Sequence, residues 1–416
     1  MIRHAPAVLL LVSSGIIHAQ ATPSGQAWIQ YGPRGAEIRA ATQAVACPKA
    51  QVDGKDLALT LRAAPDAAYP IRLCQAGLPS NPAPKNISVF GQALPLPKDN
   101  PRTIVIVGDT GCRMKGTTMQ ACNDPLEWPF KQMAQAIAQK KPDLIIHVGD
   151  YHYREAACPE EDGGCSGSPW GDNLATWQAD FLSPAAPALR AAPWVFVRGN
   201  HETCTRGGKG WSRFFDPHAF NNVLGCNGDG APWSIRLKGL TLGVIDNASI
   251  AEGAVDPESV TQVRQALAEF GRQAKETPLW VLMHRPVRSA STPRGSNSTL
   301  AEAFDQAPPP ALRHVIAGHE HNLQLIRWQD GSAAQLIVGH GGSSLYDNVP
   351  ASLNGIRVAG KIIGEGQSRV GDFGFIVLTQ QATGWQLSNH DRFGQALSPR
   401  CLMTATLNCE TSPSAD

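Results

Sequence analysis

From residue 102 onward, short apolar runs alternate with polar, helix-forming stretches, and several runs end on blocks rich in Asp, Asn and His. The runs at 103–107, 144–148, 194–197, 240–245, 279–282 and 313–317 are nearly continuous in apolar residues, as strands buried on both faces are. Asp124-Pro125-Leu126-Glu127 has the order of a helix start, with Asp as cap, Pro in the first turn and Glu three residues on. It predicts a helix reaching residue 141. Asp256-Pro257-Glu258 predicts a second helix, with Val260, Val263, Leu267 and Phe270 on one face. Runs at 323–328 and 333–338 flank Asp330-Gly331, and runs at 373–378 and 385–388 flank Thr383-Gly384; both pairs read as hairpins. Strands alternating with helices, with functional residues where strands end, predict an α/β enzyme whose mixed sheet is closed by late hairpins.

Residues 22–98 follow another rhythm. The segments 27–31, 36–39 and 57–62 alternate loosely with period two, which predicts a small β-rich module. The stretch 78–101 carries six prolines and reads as a linker. At the start of the chain, Arg3 and His4 lead into a mostly apolar stretch, 5–17, too short to span a bilayer with ease. Ala19-Gln20-Ala21 then offers a small-x-small cleavage pattern, with Ile17-His18-Ala19 as a second option. The expected organisation is a signal peptide over 1–21, an N-terminal β-rich domain and linker over 22–98, and a catalytic domain over 99–416. A periplasmic or secreted protein with no permanent membrane anchor follows from it.

The formal net charge is +1, so no global field favours a nucleic-acid duplex or an anionic membrane, and any attraction for phosphate is local. Export gives the ten cysteines a meaning, because the compartment is oxidising. An even number can pair completely, although sequence leaves connectivity open. Neighbours along the chain suggest Cys47–Cys74, Cys112–Cys122, Cys158–Cys165, Cys204–Cys226 and Cys401–Cys409. No C-x-x-C pair occurs, which argues against a thiolate zinc site.

Five polar blocks carry the chemistry: Gly108-Asp109-Thr110-Gly111, Gly149-Asp150-Tyr151-His152-Tyr153, Gly199-Asn200-His201-Glu202, Val281-Leu282-Met283-His284 and Gly318-His319-Glu320-His321. Their Asp, Tyr, Asn and His side chains are the oxygen and nitrogen donors that hold iron, zinc or manganese. A pair of cations would neutralise the oxygens of a phosphate ester, lower the pKa of a bound water and orient it for in-line attack. A bridging carboxylate is the natural spacer, and Asp150 is the choice for it. Each block alone is a weak signal; five in order, each after a strand, form a strong one.

The blocks resemble those of the calcineurin-like metallophosphoesterase superfamily, and of its purple acid phosphatases in particular. The superfamily's first block carries Asp-x-His, whereas Asp109-Thr110-Gly111 lacks the His and Tyr153 stands three residues after Asp150. That exchange, with the V-x-x-H form of Val281 to His284, looks like the purple acid phosphatase pattern. The resemblance implies a four-layer αββα sandwich and an exported hydrolase of phosphate monoesters, acting through metal-bound hydroxide. It implies one metal held by Asp109, Asp150, Tyr153 and His321, and a second held by Asp150, Asn200, His284 and His319. A phenolate suits iron(III) at the first site, with divalent iron, zinc or manganese at the second. Asp150 and His201 are the implied catalytic residues, with His201 stabilising the transition state or protonating the leaving oxygen. Asn200 and His201 would also contact the substrate, a small-molecule phosphate ester. A phosphodiesterase or nucleotidase on the same scaffold is the alternative, and a non-catalytic binding module is a third reading from another class. The oligomeric state is left open.

Other residues keep two readings each. Tyr153 is a ligand, or a packed aromatic whose place Tyr151 or a water takes. His152 and Arg154 contact phosphate, or are solvated loop residues. His340 is a substrate-side imidazole or a structural histidine. His147 and His314 lie within strand runs and read as core or edge histidines. Gly207-Gly208-Lys209-Gly210 lacks the spacing of a phosphate loop and reads as a flexible loop. Asn86, Asn247 and Asn297 stand in glycosylation sequons. The Cys-bounded insertions at 114–122 and 158–165 flank the site and are candidates for setting substrate choice.

Overall fold

The strand Thr103–Val107 explains why the core strands are apolar throughout. Ile104 and Ile106 enter one core, while Val105 and Val107 enter another on the opposite face. The same division holds for Ile146 against Ile145, and for Val195 against Trp194 and Phe196. These observations come from a computed structural model of the chain, which describes residues 25–291 and 296–410. The expected signal peptide at 1–21 and the tail at 411–416 lie outside the described residues.

The first core lies between two large sheets. Ile104, Ile146 and Val195 meet Leu242, Leu282, Ile316 and Leu336 there. The second core covers the outer face of the first sheet, where helix Phe130–Gln139 packs Phe130, Met133 and Ile137. A third core joins Val281 and Val315, on the outer face of the second sheet, to helices Pro257–Ala274 and Ser298–Asp305. The layers therefore run αββα.

The first sheet has eleven strands and the second eight. At the centre of the first, Thr103–Val107, Leu144–His147 and Trp194–Phe196 run parallel. In the second, Leu240–Val244, Leu279–Leu282, Leu312–Ala317 and Ala334–Val338 run parallel. All five polar blocks leave the C-terminal ends of these strands. The expected hairpins close the sheets: Leu323–Trp328 pairs antiparallel with Ala334–Val338, and Gly374–Gln381 with Gly384–Asp391.

The N-terminal region is β-rich, and part of it extends the central sheet. Gly25–Gly32 lies parallel to Trp194–Phe196, with Gln30 opposite Trp194, and Gly35–Thr42, Arg72–Gly77 and Thr60–Ala63 continue outward. A separate four-stranded sheet holds the rest, including Ile87–Val89 and Gln92–Ala93 from the proline-rich stretch. Two buried arginines join this region to the site-bearing part. Arg39 donates to Phe214 O (3.0 Å) and Asp216 O (2.8 Å), and pairs with Glu37. Arg62 donates to Arg213 O (2.9 Å) and Asp216 O (2.9 Å).

Some local expectations change. Asp124 caps a turn, and the helix begins only at Phe130. Pro129 explains the delay, since the residue before a proline is driven out of the helical region. Gly207-Gly208-Lys209-Gly210 is no loose loop: helix Gly208–Phe214 begins there. A Cβ on Gly210 would stand 1.8 Å from the Trp177 ring nitrogen, so the glycine permits a close approach. Asn247 and Asn297 are buried, which removes them as glycan sites; Asn86 is exposed. All five expected disulfides are present.

Replacing Arg39 with Ala leaves Glu37 without its buried cation and Phe214 O without its donor. The expected cost is about 3 kcal/mol or more, read as a lower urea midpoint at unchanged slope; an unmoved midpoint would show that the contact adds no net stability.

Candidate metal centre

The loops leaving the parallel strands are set by carboxylates that gather backbone N–H groups. Glu202, fully buried, accepts from Asp150 (3.1 Å), Tyr151 (2.8 Å), His152 (3.0 Å) and Gly199 (3.0 Å), so one side chain fixes two blocks at once. Asp180, in the π-helical turn Gln178–Leu182, accepts from the N–H groups of Tyr153 (2.8 Å), Arg154 (3.1 Å) and Cys112 (3.1 Å). Asn247 Oδ1 accepts from His284 and Arg285 N–H, both at 3.1 Å. Asp109, Asp150 and His319 have φ of 57°, 60° and 74°, a left-handed conformation that costs free energy and turns their side chains inward. Gly149, at φ 100°, lies against His284: a Cβ there would sit 2.4 Å from its Nδ1.

Eight predicted residues meet in one place: Asp109, Asp150, Tyr153, Asn200, His201, His284, His319 and His321. The Tyr153 hydroxyl is 3.1 Å from Asp109 Oδ1, 2.8 Å from Asp150 Oδ2 and 2.7 Å from His321 Nε2. His284 Nε2 is 3.1 Å from Asp150 Oδ2, 3.0 Å from Asn200 Oδ1 and 3.3 Å from His319 Nδ1. Tyr151 is instead packed among aromatic rings with its hydroxyl on Val197 O, so it is no rival to Tyr153.

The protonation pattern shows what this cluster needs. His284 Nδ1 donates to Val148 O (2.8 Å) and His321 Nδ1 to Ser344 O (2.6 Å), so each Nε2 points inward. His319 Nε2 donates to Glu252 Oε1 (2.7 Å), leaving Nδ1 inward. The single Tyr153 hydroxyl proton cannot serve three acceptors. Burial lowers the His284 imidazole, but the Asp150 carboxylate 3.1 Å away outweighs it and raises the ring above its ordinary pKa, so a proton holds this pair together in the bare site. Burial pushes His319 and His321 down to about 4, so both imidazoles are neutral at ordinary pH. Burial, reinforced by the Asp150 charge and opposed by His284, raises Asp109 well above the usual carboxylate range. Burial also raises Asp150, but His284 and His201 hold it well below that range. A donor set of this kind fits cations.

His201 lies at the edge. Its Nε2 is 3.8 Å from Asp150 Oδ2 and its ring packs on Tyr153 at 3.8 Å. On the far side, Nδ1 is 2.6 Å from Glu155 Oε1 and 2.6 Å from Arg206 Nη2. Asn200 and His319 are partly exposed, so the cluster opens to solvent on their side.

Three predicted substrate contacts are not brought to the cluster. His152 is buried, with Nε2 on Gly171 O at 3.0 Å. Arg154 is buried, ion-paired with Asp180 at 2.6 Å and stacked over Trp128. His340 is buried, with Nε2 3.2 Å from Asn389 Oδ1, a place that suits the structural reading. None of these three side chains is hydrogen-bonded to a residue of the cluster. His147 and His314 are buried as expected, bonded to Thr110 Oγ1 and Thr404 O. Sequence reasoning missed Glu252, Glu155, Arg206, Asp180 and Asn247, and gave Glu202 no role. Glu155 and Glu202 lie in or beside quoted blocks; the others carry no local signal.

A family model described as calcineurin-like phosphoesterase matches residues 102–323, the span from the first core strand through the last of these blocks. The chain belongs to the calcineurin-like phosphoesterase family. It is thus a metal-dependent phosphoric ester hydrolase. No curated protein matches the chain. Among solved structures, the purple acid phosphatase PPD1 from yellow lupin (Lupinus luteus) seeds shares the fold, at TM-score 0.55 and 15% identity over 90% of this chain and 74% of that one. GAP50, the anchor in the inner membrane complex of Plasmodium, gives TM-score 0.46 and 16% identity over 76% and 91%. A dimetal phosphatase from Danio rerio gives 0.43 and 11% over 73% and 100%.

Gly149→Ala forces a Cβ into the His284 ring from a left-handed backbone. It is expected to cost about 3 kcal/mol, read by chemical denaturation; a variant as stable as the parent would show that His284 has room to move.

Proposed function

We propose that this phosphoesterase is an exported, acid phosphatase-like enzyme that hydrolyses small-molecule phosphate monoesters at a two-metal centre. The observation that carries the reading is the inward convergence of nitrogen and oxygen ligand atoms, with His284 Nε2 within 3.3 Å of Asp150, Asn200 and His319. Asp109, Asp150, Tyr153 and His321 would hold one ion, and Asp150, Asn200, His284 and His319 the other, with Asp150 shared. A phenolate ligand suits iron(III) at the first position, with divalent iron, zinc or manganese at the second. Ions in these positions neutralise phosphoryl oxygens and lower the pKa of a coordinated water.

The protein's own groups do the rest. Hydrogen bonds from Val148 O, Ser344 O and Glu252 orient the three imidazoles, so ligand geometry is set before any ion binds. Burial pushes the His201 imidazole down to about 3, against the pull of Asp150 and Glu155. An incoming phosphate ester adds negative charge beside Nε2 and favours the protonated ring, which can then donate to the leaving oxygen. Five disulfides and the apolar start of the chain support export. No described helix is long and apolar enough to cross a membrane.

Asp150→Asn should abolish turnover of an aryl phosphate while the far-ultraviolet dichroism is kept, and His201→Ala should lower kcat by about 10²-fold or more. Full activity in an Asp150→Asn protein of verified metal content would overturn the mechanism. If iron(III) occupies the tyrosine position, Tyr153→Phe should bleach a visible phenolate-to-iron absorption band; colour that survives the change would remove Tyr153 from the ligand set.

A further inference from the structure

The hairpin that follows Asp109 carries charge to the rim of the metal centre. Its short strands, Met114–Lys115 and Thr118–Met119, are closed by the Cys112–Cys122 disulfide. Met114 is fully buried and its backbone is bonded to the chain leaving Tyr153. Its N–H donates to Tyr153 O at 3.0 Å, and the N–H groups of Glu155 and Ala156 donate to Met114 O at 2.9 and 3.0 Å. Arg113 Nη1 donates to the Tyr346 hydroxyl at 3.0 Å, and that tyrosine stacks on His321 with ring centres 4.4 Å apart. The hairpin is thereby fixed to two ligand-bearing walls.

Lys115 follows directly, exposed, and its ammonium makes no hydrogen bond or ion pair among the described residues. It lies within electrostatic reach of Asp150 and Glu155, and of two further cations, Arg206 and Arg113. Partial burial and the Arg206 charge push it below the ordinary lysine range. Arg206 is already committed to Glu155 and to Asn200 O (3.0 Å). Glu155 is taken up by Arg206 and His201, and Arg113 by the Tyr346 hydroxyl, so Lys115 stands among like charges with no carboxylate paired to it among the described residues. Like charges held together raise the free energy of the empty rim, and an anion bound among them relieves it.

We propose that Lys115, backed by Arg113 and Arg206, forms a second anion subsite, so that the preferred substrates carry a further phosphate group beside the one that is hydrolysed. This rests on the phosphatase reading above. For a nucleoside diphosphate, water adds to the terminal phosphorus, the bond from that phosphorus to the bridging oxygen breaks, and inorganic phosphate and the monophosphate leave. The inner phosphate of the substrate is the group that meets Lys115.

The test compares kcat/KM for ADP and for p-nitrophenyl phosphate in the metal-loaded full chain, in Lys115→Ala and in Lys115→Arg. Loss of a charged hydrogen bond predicts a fall of about tenfold on ADP for Lys115→Ala, carried mainly by KM. On p-nitrophenyl phosphate the fall is expected to stay below about twofold, since that substrate offers no second phosphate to the lysine. Lys115→Arg should keep the parental ratio of the two substrates, and rising salt should shrink the ADP advantage. Equal effects on both substrates, or turnover of the aryl ester without ADP, overturn the subsite and leave the phosphatase reading standing. A parent protein inert on both substrates in every metal overturns the two together.

Discussion

Two buried carboxylates, Asp109 and Asp150, converge on one tyrosine hydroxyl, and everything around them serves to hold them there. Burial and the Asp150 charge raise the Asp109 carboxyl well above its ordinary range, so the bare site resists holding both as anions. His284 and His201 compensate Asp150 alone, and His319, His321 and Asn200 bring further donor atoms to the same place. An arrangement so unfavourable to the bare protein makes sense only as a receptacle for positive charge. The free energy that opposes it comes from elsewhere in the fold: the apolar core between the sheets, and the carboxylates of Glu202 and Asp180 that gather N–H groups at the loop bases.

Parallel strands give the site its precision. Each block leaves a strand whose two faces are locked in different cores, so the loop's first residue cannot slide by one position without turning both faces over. The loops then turn at once through left-handed residues, and glycines let neighbouring blocks approach within van der Waals distance. Rigidity of this kind matters for a site with no single dominant ligand. Displacing a strand end would separate the side chains that converge on Asp150 and Tyr153.

Outside the centre, the same logic is carried by fewer contacts. Arg39 and Arg62 reach the carbonyls of the segment 213–216 and so brace helix Gly208–Phe214, which follows directly on His201 and Arg206. The disulfides Cys112–Cys122 and Cys204–Cys226 close loops next to Asp109 and His201. The N-terminal strands therefore bear on the site through packing, although none of their side chains enters it.

The linear sequence determined the succession of strands and helices along the catalytic core, the ends of the strands that carry polar blocks and the donor types found there. It could do so because buried strands, turn residues and ligand types leave signals within a few neighbouring positions. Thus Asp109, Asn200, His284, His319 and His321 were legible, as was the cap Asp256 on its helix. Helix Phe130–Gln139 was legible in existence but not in its start, because Pro129 overrode a good capping signal upstream. Tertiary structure alone decided which polar side chains turn inward to partners and which face the opening. Arg154 and His152, beside a ligand in sequence, are spent on Asp180 and Gly171. Glu252, remote from every block, orients His319. It also decided that the first strands extend the central sheet, since the pairing of Gln30 with Trp194 joins segments with no shared local pattern. Local propensity reports on a residue and its near neighbours, whereas hydrogen-bond partners and burial are set by whatever the folded chain brings from far away.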